Sequence, residues 1–206
     1  MIARLEGVLR EVAPTCIVVD VGGVGYEVNI PLSTFTELPD LGKTVILRIH
    51  THARENAIQL FGFLTDSERA AFSLLLRANR VGPKLAQTVL SGISPAELLQ
   101  AIDVNQVAVL RAAPGIGSKM AERILVDLRD CTGELAAALA SAGETIAPSD
   151  VRGPSTTSLG QALSALLNLG YSKQQADRAL TGAVEDEGED ATLENLVRGS
   201  LRMLTK

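Results

Sequence analysis

The chain has 206 residues, of which 46% are hydrophobic, and its formal net charge at pH 7 is −5. A chain of this size can bury a sizeable core, in one large domain or in two to three small ones. Because no apolar run approaches the ~20 residues of a membrane span and charges interrupt the opening "MIARLEGVLREV", the sequence predicts a cytoplasmic protein without a membrane span or signal peptide.

The acidic charge is unevenly distributed along the chain. Basic and acidic side chains number five and seven in residues 1–64, eight and seven in 65–132, and six and ten in 133–206. An even distribution would argue against a nucleic-acid ligand, since phosphates repel an acidic surface. Only the middle third is not acidic, and it is the part that remains compatible with such a ligand.

Residues 1–64 have the pattern of β-strands. Five segments rich in Val, Ile, Leu and Phe are separated by Gly, Pro and Asn turns: "IARLEGVLREV", "TCIVVDV", "YEVNI", "TVILRIHTH" and "AIQLFGF". Five short strands predict a small barrel, for which the five-stranded OB fold is the natural candidate. The strand count alone leaves the topology open.

Three features of the chain resemble ligand sites but favour simpler interpretations. "VGGVGYEV" at 21–28 contains GxG, but it leads into a strand rather than a helix, so a hairpin turn is expected instead of a dinucleotide-binding loop. His50 and His52 alternate onto one strand face without an evident ligand set, which favours solvent-exposed residues over a metal site. Cys16 and Cys131 form no CxxC pair, and no disulfide framework, metal or cofactor is expected.

From residue 65 the hydrophobic period becomes helical. "TDSE" at 65–68 and "SPAE" at 94–97 are capping boxes, and each predicts the start of a helix. In the first of these helices Phe72, Leu75 and Leu76 mark one buried face. The middle third is therefore predicted to be all-helical.

A ten-residue pattern occurs twice in this helical region, as "VGPKLAQTVL" from residue 81 and "IGSKMAERIL" from residue 116. Each copy has a glycine directly before a predicted helix, whose first backbone amides carry a partial positive charge. Glycine is expected to supply the dihedral angles of the turn and to let a phosphate approach closely. The lysine that follows adds charge. The residues concerned are Gly82, Pro83 and Lys84 in the first copy, and Gly117, Ser118 and Lys119 in the second.

Two interpretations of the repeated glycines remain open. Each glycine could simply end one helix and let the next pack closely, or each could form part of a phosphate site. Lysine in the same position of both copies favours phosphate binding, since two related hairpins can hold the two sugar-phosphate strands of a duplex. Such contacts do not read base sequence. The P-loop pattern GxxxxGK[ST] does not occur, so the chain is not expected to hydrolyse ATP.

The last third divides into a tether and a helical unit. Residues 133–156 are rich in Ala, Ser, Gly and Pro, which predicts a flexible linker. In residues 157–206 we expect a third capping box at Ser172 and Gln175 and an acidic loop at 185–190. The acidic balance argues against DNA as a ligand of this unit and favours a protein partner. Its expected core residues are Leu163, Leu166, Leu167, Leu169, Ala176, Ala179 and Leu180.

Several independent motifs resemble the RuvA family, the Holliday-junction-binding subunits of the bacterial branch-migration complex. "MIARLEGVL", "VGGVGYEV", "RENAIQLFGF", "VGPKLA" and "PGIGSKMAERIL" occur in the family's order and spacing, over nearly the whole chain. The resemblance implies an α+β multidomain fold. Its expected parts are an OB-fold barrel and tetramerisation domain at 1–64, a tandem helix-hairpin-helix domain at 65–132, the linker at 133–156, and a three-helix motor-binding domain at 157–206.

The resemblance also implies a function and partners. The protein is expected to be non-catalytic and to hold a four-way junction open as a homotetramer, in recombination and in DNA repair during the SOS response to DNA damage. Expected partners are junction DNA of any sequence, the RuvB ATPase, recruited through the C-terminal domain for branch migration, and the RuvC resolvase. The expected DNA-binding residues are Asn79, Arg80, Val81, Gly82, Lys84, Gly115, Gly117, Ser118, Lys119 and Arg123.

Three positions depart from the usual family pattern. Arg80 stands in place of glycine, which costs roughly 1 kcal/mol if φ is positive there and otherwise adds a phosphate contact. Ser118 stands where a second lysine is common, so the second hairpin is expected to bind phosphate more weakly. At the tip of the barrel hairpin the family has two acids that form a pin at the junction centre. The resemblance assigns this pin to Glu55 and Asn56 here, and Asn56 is expected to weaken it.

Two other classes of protein share parts of this pattern. A hairpin-type DNA glycosylase also uses paired hairpins, but it needs a catalytic Asp in a loop shortly after the second one. After Asp130 the next Asp is Asp150, in the predicted linker. The pattern also contains no nucleophile with an accompanying base. The second alternative is a protein-binding adaptor that acts through its C-terminal helices.

Overall fold

The computed structural model of the protein describes residues 1–55, 57–143, 159, 162–163, 165–166, 171, 173–187 and 192–204. The chain divides into two compact units, Met1–Ser149 and Asp150–Lys206. The described residues of the first unit form a β-barrel and a helical domain, and those of the second unit are mostly helical.

Five strands form the barrel: β1 (Arg4–Ala13), β2 (Cys16–Val21), β3 (Val24–Asn29), β4 (Thr44–Arg54) and β5 (Ala57–Phe63). They close in the order β1-β2-β3-β5-β4. β3 and β5 pair in parallel, and all other neighbours pair antiparallel. The barrel is therefore of the OB type, as predicted, and the structure supplies the topology that the strand count left open.

The turn between β2 and β3 contains Gly22 and Gly23. Val21 and Val24 pair across it, and the two glycines have φ angles of 62° and 90°. Positive φ at both central residues matches the right-handed twist of a tight hairpin, and glycine adopts it without steric cost. The predicted hairpin turn is confirmed.

Seven helices are described in the first unit: α1 (Leu32–Thr36), α2 (Asp66–Leu75), α3 (Pro83–Leu90), α4 (Pro95–Asp103), α5 (Val107–Arg111), α6 (Ser118–Leu128) and α7 (Gly133–Ala142). Both predicted capping boxes are present, since the Thr65 and Ser94 hydroxyls accept from the amides of Glu68 and Glu97, whose carboxylates accept in return. The helices α3 and α6 begin where the two repeats predicted.

Aromatic rings join the barrel to the helical domain. The Phe72 ring of α2 lies 5.0 Å, centroid to centroid, from the rings of both Phe61 and Phe63 on β5. All three side chains belong to the hydrophobic core of the helical domain. Because β5 contributes to this core, the barrel and the helical domain pack as one unit.

His50 lies on β4, on the face that α2 covers. Its ring meets the Phe72 ring edge-on at 5.1 Å, and its Nδ1 atom lies 3.3 Å from the Ser73 hydroxyl. The expectation of a solvent-exposed His50 is therefore wrong. Burial lowers the pKa of His50, and the charges of His52 and Arg69 lower it further. Across the described part of the chain, no three His, Cys, Asp or Glu side chains group as a metal site.

The predicted linker at 133–156 begins with a helix. Residues 133–142 form α7, in which Leu135 and Leu139 are fully buried and pack in the core with α2 and α4. Leucines four positions apart lie on one face of a helix, and the alanines around them favour helix formation. The linker was predicted from composition, which does not show that the two leucines share a helix face. The prediction of a flexible linker is therefore wrong for these ten residues. Residues 144–156 lie outside the described part.

The second unit contains the described helices α8 (Lys173–Glu187) and α9 (Leu193–Leu204). Residues 185–187 of the expected acidic loop belong to α8. No helix among the described residues has the length and apolarity to cross a membrane. Of the expected core, Leu166, Ala176, Ala179 and Leu180 are buried and Leu163 is partly buried. Leu167, Leu169, Ser172 and residues 188–190 lie outside the described part.

Candidate nucleic-acid interface

Gly82 and Gly117 occupy the N-cap positions of α3 and α6. Their φ and ψ angles, −92° and 171° for Gly82 and −86° and 168° for Gly117, are extended values open to any residue. The predicted conformational need for glycine at these two positions is therefore wrong. A Cβ built on either residue would meet nothing within 4 Å, so neither glycine serves close internal packing. What both glycines provide is open space at a helix N-terminus.

The left-handed residue of each hairpin lies two positions before its N-cap. Arg80 has φ of 67° and Gly115 has φ of 89°. Glycine adopts this conformation freely, whereas the Cβ of other residues makes it unfavourable by roughly 1–2 kcal/mol. Arg80 therefore sits in the strained conformation, which is one of the two possibilities considered from the sequence, and its side chain is exposed.

The first turns of α3 and α6 are suited to anions. Among the described residues no side chain caps either helix, and neither helix has an acidic residue in its first turn. Lys84 and Lys119 are exposed at the second position of each helix. Free backbone amides and the helix dipole attract negative charge there, and the lysines add to this attraction.

Nine of the ten predicted DNA-binding residues are exposed. Val81 is the exception, since its side chain is buried in the core of the helical domain. All of these exposed residues except Arg123, which lies in the second turn of α6, are at the two helix N-termini or in the turns before them. The nine exposed residues are Asn79, Arg80, Gly82 and Lys84 in the first hairpin, and Gly115, Gly117, Ser118, Lys119 and Arg123 in the second.

Asp127 is a residue of this region that the sequence analysis missed. Its Oδ2 atom accepts from the backbone N–H of Asn79 at 2.9 Å and from the Asn79 side-chain amide at 3.1 Å. These two hydrogen bonds hold the pKa of Asp127 below its usual value, and the charge of Arg123 lowers it further. The two residues are 48 positions apart, so no local pattern predicted that they would meet.

Gln87 and Ser91 of α3 fix the first hairpin on the barrel. The Gln87 amide donates to the carbonyl oxygens of Ile30 and Thr15. The Ser91 hydroxyl accepts from the backbone N–H of Leu32 at 3.0 Å. Because all three partners are barrel or α1 backbone groups, the orientation of α3 is set relative to the barrel.

The hairpin between β4 and β5 carries Glu55 at its tip. Arg54 and Ala57 are the last paired residues of the two strands, and Glu55 is exposed beyond them. The Arg54 guanidinium donates to His52 Nε2 at 3.0 Å. Asn56, the second expected pin residue, lies outside the described part.

Three known domain families match the sequence. Residues 1–62 match the RuvA N terminal domain, residues 72–130 match the SAM-like helix-hairpin-helix tandem, and residues 157–204 match the RuvA C-terminal domain. The first match covers the barrel, and the second contains both helix N-termini described above.

Curated proteins also resemble the chain along its full length. The Holliday junction branch migration complex subunit RuvA of Syntrophobacter fumaroxidans is 46% identical over 204 residues, which are 99% of this chain and 100% of that protein. Proteins with the same name from Pelobacter propionicus and Thioalkalivibrio sulfidiphilus are 43% and 44% identical over 206 residues, the whole of both chains.

Proposed function

The chain belongs to the RuvA family, and from this we propose that it binds Holliday junctions as the DNA-binding subunit of a branch-migration complex. The observation that carries the proposal is the pair of helix N-termini at Gly82 and Gly117. Each is sterically open and is followed by an exposed lysine, Lys84 or Lys119. Two such sites suit the two sugar-phosphate strands of a duplex arm.

Binding at these sites is independent of base sequence. Backbone amides and lysines contact phosphate oxygens, which are the same at every nucleotide. Arg80, in the turn before α3, and Arg123, in the second turn of α6, are exposed and add positive charge to the proposed DNA-binding surface. Each phosphate contact releases counterions, so affinity falls steeply as salt increases.

The barrel is proposed to assemble the protein and to shape the junction. In a homotetramer with fourfold symmetry, the β4–β5 hairpins meet at the axis and bring copies of Glu55 together. A carboxylate repels a phosphate by roughly 1 kcal/mol at 4 Å in water, and by more where water is excluded. Strands are therefore kept from crossing the centre, and the junction is held open.

Different parts of the chain carry different steps in this proposal. Residues 1–64 form the tetramer, residues 65–132 bind DNA, and residues 157–206 recruit the RuvB ATPase, which supplies the catalysis that this subunit lacks. The proposed linker is confined to residues 143–156, since residues 133–142 form α7 and pack on the helical domain. We further propose that the RuvC resolvase shares the assembly, which acts in the cytoplasm in recombination and in SOS-induced DNA repair.

A gel shift with matched four-way, duplex and single-stranded DNA tests the function. We expect the four-way junction to bind most tightly, with complexes that do not depend on its base sequence. Equal affinity for duplex and junction would contradict junction recognition. No DNA binding at all would favour a protein-binding adaptor.

A further inference from the structure

The two hairpins reach the same turn conformation by different means. In the second hairpin, Pro114 precedes Gly115, so proline fixes one φ angle and glycine accepts the left-handed one. The equivalent residues 35 positions earlier are Asn79 and Arg80. Neither has the conformational preference of its counterpart, and Arg80 disfavours φ of 67°. The first turn therefore needs support from outside its own sequence.

Asp127 supplies support of that kind. Its carboxylate accepts hydrogen bonds from both the backbone N–H and the side-chain amide of Asn79, the residue directly before Arg80. Asp127 lies on α6, which is anchored in the core by the buried side chains of Leu125 and Leu128. The acceptor is thus held by the helix of the second hairpin.

We propose that Asp127 is a positioning residue that holds the strained Asn79–Arg80 turn and so sets the spacing between the two phosphate-binding helix N-termini. The inference rests on the proposed function. A carboxylate beside a DNA-binding surface repels phosphates, so on charge alone its removal strengthens binding. Its two hydrogen bonds to Asn79 give it the opposite effect here, because they order the turn before DNA arrives.

The test compares three full-length variants in junction binding at fixed salt. Asp127→Ala removes the acceptor, and we expect about fivefold weaker binding, the factor that a net hydrogen-bond contribution of about 1 kcal/mol represents. Asp127→Asn keeps an acceptor oxygen and should bind within about twofold of the parent. Asp130→Ala is the matched control, because it removes an exposed acid three residues away. It should bind as tightly as the parent or slightly more tightly.

A double-mutant cycle of Asp127→Ala with Arg80→Gly tests whether Asp127 acts by supporting the turn or has a general structural role. Glycine relieves the left-handed conformation, so in this background we expect Asp127→Ala to change affinity by less than about twofold. The same loss in both backgrounds would overturn the proposal. Asp127→Ala binding as well as Asp130→Ala would overturn it too.

Hydrogen exchange of the Asn79 amide provides a readout without DNA. We expect faster exchange at Asn79 in Asp127→Ala, with unchanged exchange in the core of α6. Unchanged exchange at Asn79 would overturn the proposal even if junction binding is found. If the parent binds no junction while Asn79 exchange responds to Asp127, the support of the turn stands and the proposed function fails.

Discussion

The side-chain amide of Gln87 donates a hydrogen bond to the backbone carbonyl oxygen of Ile30, and so joins the first hairpin to the barrel. Replacing Gln87 with Leu removes the Nε2 group, which donates both this hydrogen bond and the one to the Thr15 carbonyl oxygen. We expect the free energy of unfolding to fall by about 1–3 kcal/mol, the effect of leaving a buried acceptor without a partner. Urea denaturation measures the change. Gln100→Leu, an exposed site on α4, is the control and should leave stability nearly unchanged.

Two substitutions of Arg80 distinguish the effect of its strained backbone from the effect of its charge. Arg80→Gly and Arg80→Ala remove the same charge, but only glycine accepts φ of 67° without strain. We expect the glycine variant to be more stable than the alanine variant by about 1 kcal/mol in urea denaturation. Both should bind junctions with the same reduced salt dependence. Equal stability of the two variants would show that the turn is not strained.

Lys84 and Lys119 test the phosphate sites. Replacing both with Ala should weaken binding to junctions of every sequence. The log–log salt slope should become shallower by about 0.9 for each phosphate that a subunit no longer neutralises. Fluorescence anisotropy over a range of salt concentrations gives the slope, and Lys43→Ala, an exposed lysine of the barrel, serves as control. An unchanged slope in the double variant would remove these lysines from the interface.

Glu55 tests the acidic pin. Glu55→Gln removes the repulsion between carboxylate and phosphate, so we expect tighter junction binding and weaker discrimination against plain duplex. Asn56→Asp adds a carboxylate beside it and should have the opposite effect on both quantities. Competition gel shifts with junction and duplex measure them. The pin hypothesis fails if the parent and both variants bind with equal affinity.

Truncation after Thr156 tests the division between DNA binding and motor recruitment. The described core residues of the helical domain, including those of α7, all belong to the first unit. We therefore expect junction binding and tetramerisation to be nearly intact, whereas stimulation of RuvB-driven branch migration should be abolished. Gel shifts, light scattering and a branch-migration assay give the three readouts. Normal migration would exclude the C-terminal unit as the coupling element, and an absence of junction binding would contradict the division itself.

Much of this protein could be predicted from local sequence. The five strands, the Gly22–Gly23 turn and the capping box of Thr65 and Glu68 depend on side-chain periodicity and on hydrogen bonds between residues within four positions. The repeat likewise located both helix N-termini of the candidate site. Such features are encoded where they form, so a single stretch of sequence determines them.

The tertiary structure decided the burial and the hydrogen bonds that involve residues far apart in the sequence. His50 is half-buried because α2 lies over its strand, and Leu135 and Leu139 are buried because α2 and α4 present a surface to α7. The hydrogen bonds between Asn79 and Asp127, 48 positions apart, also required the folded chain. Periodicity shows which face of an element is apolar, but it does not show which element covers that face. The sequence alone therefore determined the hairpins and their lysines, whereas packing determined how the first hairpin is held beside the second.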